Sequence, residues 1–71
     1  MKREEMLKEM IGFDLYFVPE LFEDEEADIL VEKQEGRQED YQIYADRPDS
    51  EIYCVNIKKD ENDRDIITAA W

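Results

Sequence analysis

Four apolar runs recur along the last two thirds of this chain, and their spacing limits the fold more than any other feature. Ala27 to Val31, Tyr41 to Ala45, Ile52 to Ile57 and Ile66 to Trp71 are separated by QEGRQ, DRPDS and DENDR, each rich in turn residues or charge. Runs this short with such connections read as an antiparallel meander. In the first run Ala27, Ile29 and Val31 fall on one face, and in the second Tyr41, Ile43 and Ala45 do. The opposite faces carry Asp28, Glu32, Asp40 and Gln42, so one face is expected to look inward and the other to be wet and acidic. The third run, IYCVNI, is apolar on both faces, as expected of a central strand partly covered by a helix.

A covering element stands upstream. In KREEMLKEMIG the residues Met6, Leu7, Met10 and Ile11 form one apolar stripe, Glu4 and Glu5 sit in the first turn, and Gly12 is placed to end the helix. The next stretch, FDLYFVPELF, alternates Phe13, Leu15 and Phe17 with Asp14, Tyr16 and Val18, while Pro19 suits the first position of a short helix. It is read as an extended segment followed by a helical turn through the acidic run. The expected fold is therefore α+β: one domain over residues 1–71, with an N-terminal helix packed on a three- or four-stranded antiparallel β-meander. A chain of 71 residues buries only about 60% of its unfolded surface, so the core is thin, and a homodimer interface would add to it. Trp71 reads as a core plug or a dimer contact.

Charge is the outlier: 21 acids against 9 bases give a net charge of −12. Direct binding to nucleic acid or to an anionic membrane needs clustered Lys and Arg, which this chain lacks. No apolar run approaches a transmembrane helix, and MKREEMLKEM has no apolar signal core, so the expected location is the cytoplasm. The charge is also uneven. Residues 23–40 hold nine acids and two bases, more than half of the net charge in one quarter of the chain, which favours a dedicated face over a solubilising coat.

Chemistry is narrowed by omission. There is no histidine, and Ser50, Thr68 and Cys54 are the lone serine, threonine and cysteine, so neither a Ser/His/Asp nor a Cys/His arrangement can be built and no enzyme is expected. DENDRD, Asp60 to Asp65, begins like a calcium loop. It then places Arg64 at the fifth position, Asp65 at the sixth where glycine is needed, and Trp71 at the twelfth where a bidentate Glu belongs. Zinc lacks its usual ligands, and no cofactor is expected. Cys54, between Tyr53 and Val55, reads as a small buried hydrophobe.

The acids themselves are the remaining candidates. Carboxylates two apart on a strand repeat at about 6.6–6.8 Å, a spacing comparable to successive phosphates on a nucleic-acid strand. Glu23, Asp24, Glu25, Glu26 and Asp28, with Glu32, Glu35, Glu39, Asp40, Asp46 and Asp49, are the candidate partner-binding acids, and Tyr44 and Tyr16 the candidate exposed aromatics. In size, charge density and the stretch FEDEEAD before a β-rich body, the chain resembles the small acidic DNA-mimic inhibitors that phages encode against host DNA-binding proteins. The resemblance implies a basic DNA-binding protein as partner, such as a nucleoid-associated protein of the HU type, and the host cytoplasm as location. The alternative is an antitoxin or immunity protein whose acids plug a basic nuclease site.

Overall fold

The computed structural model describes residues 2–71. An α-helix, α1 (Arg3–Met10), is followed by a 3-10 helix (Leu15–Leu21) and four strands, β1 (Ile29–Lys33), β2 (Tyr41–Ala45), β3 (Tyr53–Lys59) and β4 (Asp65–Ala70). The strands form one antiparallel sheet in the order β1-β2-β3-β4, so the fold is the α+β meander that the spacing predicts.

The two helices lie on one face of this sheet. Met6 and Met10 of α1 and Leu15 and Val18 of the 3-10 helix meet Ile43, Val55 and Ile67 in a core of buried side chains. Leu15 and Val18 are three apart, the spacing that aligns side chains along a 3-10 helix. That periodicity overrides the expected extended segment: Leu15 and Val18 point inward, whereas Tyr16 and Phe17 are exposed. The Asp14 side chain accepts from the Tyr16 N–H and starts the helix, and Pro19 lies inside it rather than opening a turn through the acids.

Residues 12–14 then run along β4. Gly12 donates to the Ile67 carbonyl at 2.8 Å, Ile67 donates to the Phe13 carbonyl at 3.0 Å, and Gly12 adopts φ +87, a region that favours glycine. Arg3 holds the start of α1 to the sheet. Its Nη2 donates to the carbonyls of Ile52 and Trp71 at 2.9 and 3.3 Å, and its guanidinium lies 4.4 Å from the centre of the Tyr53 ring.

The other sheet face differs from the wet acidic face expected. Leu30, Tyr44 and Cys54 alternate with the inward Val31, Ile43 and Val55, and all three are half-buried. Trp71 exchanges backbone hydrogen bonds with Cys54, which puts both side chains on this outer face, and Trp71 and Ile52 are exposed. Trp71 is thus no core plug. Asp28 and Asp40 stand just outside the strands, and among the described residues the only acids within strands are Glu32 and Asp65. Of the acids expected on this face, Glu32, opposite Gln42, is placed there by its strand, most of the others stand at the strand ends, and among the described residues no strand presents two carboxylates at alternate positions.

Candidate protein-binding surface

The register decides which acids meet. Ile29 pairs with Ala45, so the segment before β1 and the turn after β2 share one end of the sheet, and Asp46 donates its N–H to the Asp28 carbonyl at 2.7 Å. These two segments, residues 20–28 and 46–51, hold nine carboxylates and a single cation, Arg47. At the opposite end, residues 33–40 and 59–65 hold seven carboxylates and four cations. The net charge is concentrated at the first end.

Three local devices hold that end in shape. Arg47 Nη2 lies 3.0 Å from Glu25 Oε2, and its Nε lies 3.7 Å from Asp49 Oδ1, tying the run before β1 to the β2–β3 turn. Glu25 Oε1 accepts from the Ala27 N–H at 3.2 Å, which folds the acidic run back on itself. Ser50 Oγ accepts from the Ala45 N–H at 2.8 Å and donates to the Glu51 carbonyl at 3.0 Å, closing the turn. Glu51 in turn receives Arg3 Nη1 at 3.4 Å.

Between α1, the 3-10 helix and the β2–β3 turn lies a groove of about 780 Å³. Met6, Phe13, Leu21, Phe22, Ala45 and Tyr53 supply its apolar lining, and Phe22 and Tyr53 meet edge to face with ring centres 5.8 Å apart. Glu9, Glu20, Glu23, Asp24, Glu25, Asp49 and Glu51 supply its acids. Burial pushes the Tyr53 hydroxyl above its ordinary pKa of 10.0, with the Glu51 carboxylate acting in the same direction, so the ring stays neutral.

Of the acids expected to act together, Glu23, Asp24, Glu25, Glu26, Asp28, Asp46 and Asp49 do meet at this end. The others do not. Glu32 and Glu35 are exposed but lie along β1 and in the turn beyond it, and Tyr44 is half-buried on the outer sheet face. Glu39 is buried at 8% exposure: its Oε2 accepts from Gln42 Nε2 at 2.9 Å and from Cys54 Sγ at 3.3 Å. The Gln42 hydrogen bond foremost, with its own backbone N–H and Cys54, holds the Glu39 carboxyl below its ordinary value of 4.5. Burial first, and then the Glu39 carboxylate, push the Cys54 thiol above 9.0, which favours the protonated form that donates to Glu39.

Asp40 is also spent on the fold. Its carboxylate accepts from the Ile57 N–H at 3.0 Å, while its own N–H is shared between the Val55 carbonyl and Asn56 Oδ1. Glu9, Glu20 and Glu51 lie outside the acidic run that marks the expected set and join the groove only through packing.

The DENDRD turn builds an Asp-centred loop and no ligand cage. Asp60 Oδ1 accepts from the N–H groups of Asn62 and Arg64, each at 2.9 Å, and these bonds, Arg64 first, hold its carboxyl below 3.8. Among the described residues no group of three His, Cys, Asp or Glu side chains could hold a metal ion, and no helix is long and apolar enough to cross a membrane. Comparisons with protein-family models, with curated proteins and with solved structures found no match.

Proposed function

We propose that this protein is a non-enzymatic inhibitor that presents its acidic end to the DNA-binding surface of a basic protein and blocks DNA binding by competition. The observation that carries the reading is the concentration of nine carboxylates and one cation in two segments braced by Arg47. Carboxylates held on a folded frame attract Lys and Arg at long range and bind them through charge-assisted hydrogen bonds, without ordering a flexible tail on contact. A saddle of basic residues such as that of an HU-type nucleoid protein is the kind of surface such an end complements.

Affinity capture from bacterial lysate at low and at high salt, followed by elution with duplex DNA, tests this function. Basic nucleic-acid binders should be retained at low salt and displaced by the duplex. Retention of non-basic proteins, or of proteins that duplex DNA cannot displace, contradicts it. The apolar lining of the groove favours a second reading, an immunity protein or antitoxin for one nuclease, because apolar contacts reward a single fitted partner. That partner would resist displacement by DNA.

A further inference from the structure

We infer that the groove between α1, the 3-10 helix and the β2–β3 turn seats a basic amphipathic segment of the partner, with an apolar side chain on the floor and Lys or Arg at the rim. The inference rests on the reading that a basic protein docks at this end, and it names what enters.

Two properties of the groove select that occupant. Its floor, with Met6, Phe13, Leu21, Phe22 and Tyr53, rewards loss of water from an apolar group, and the Tyr53 ring already carries the Arg3 guanidinium. Its rim is anionic: Glu9, Glu20, Glu23 and Asp24 make no ion pair with any described residue, and Arg47, the cation lining the groove, is already engaged by Glu25 and Asp49. A purely apolar segment would leave these carboxylates unmatched, and a nucleic acid would be repelled. A volume of about 780 Å³ exceeds one side chain and accommodates a turn of helix, so apolar anchors at helical spacing flanked by cations fit both parts.

The test uses the full chain and two synthetic helical peptides of equal length and charge, one with leucines spaced i, i+4 among lysines, the other with serines replacing those leucines. Calorimetry at about 0.15 M salt should show the leucine peptide bound at least about tenfold tighter. It should also shift the Met6 methyl and the Phe22 and Tyr53 ring resonances, and E20Q/E23Q/D24N should weaken it. Equal binding of both peptides with those resonances unmoved overturns the groove inference and leaves the acidic end as a charge surface. Failure of both peptides also overturns it, while displacement by duplex DNA reports separately on the proposed function.

Discussion

The backbone N–H of Asp46 donates to the carbonyl oxygen of Asp28 at 2.7 Å, joining the acidic run before β1 to the turn after β2. This bond turns two modest charge clusters into one strongly anionic end. Like charges held together oppose folding, so the structure stores repulsion there that salt can relieve.

Neutralising that end should stabilise the chain. E23Q/D24N/E26Q removes exposed carboxylates that form no ion pair with the described residues. Thermal unfolding at low ionic strength should give a higher Tm than the parent, and the gap should shrink as salt is raised.

Glu39 should carry a pH-dependent part of the stability. Its folded-state pKa lies below the ordinary 4.5, so its contribution is complete above that value and is lost as pH falls through the lower, folded value. E39Q keeps the shape but not the charge. Denaturant titrations should place E39Q below the parent in stability at neutral pH, with the difference closing as the pH drops below about 4.5.

The same contact governs Cys54. Removing the Glu39 charge stabilises the thiolate, so a thiol reagent at mildly alkaline pH should label E39Q faster than the parent, in which labelling is slow.

Core and backbone changes give the scale against which these effects are read. Met10 is fully buried between the helix and the sheet, and M10A should cost about 2–5 kcal/mol in denaturant unfolding. G12A should cost about 1–2 kcal/mol for a different reason: nothing crowds the position, but φ +87 is unfavourable for any residue with a Cβ.

The strands were legible because local chemistry and packing agree there. Tyr41–Ala45 appears with the bounds expected, since Ile43 and Ala45 alternate into the core and turn residues flank the run. β1 begins two residues later than its apolar run, at Ile29, because the Ala27 N–H is taken by the Glu25 side chain and the Arg47 N–H by the Ala45 carbonyl, so these residues do not pair across the strands. The acidic surface was legible only in part. Charge counted along the chain grouped Glu32 to Asp40 with Glu23 to Asp28, but a five-residue strand carries the later acids about 17 Å away. That Asp40 completes the sheet and Glu39 serves Gln42 and Cys54 follows from register, which residue types do not encode locally.

We propose that the end built from residues 20–28 and 46–51, and not the acidic content as a whole, meets the partner. The direct measurement is displacement of a labelled duplex from an HU-type protein, followed by fluorescence anisotropy, using the parent, E23Q/D24N/E26Q/D28N and the charge-matched control E32Q/E35Q/E61Q/D63N. The parent should release the duplex, the first variant should need at least about tenfold more protein, and the control should stay within about twofold of the parent. No displacement by the parent, or equal losses in the two variants, would contradict it.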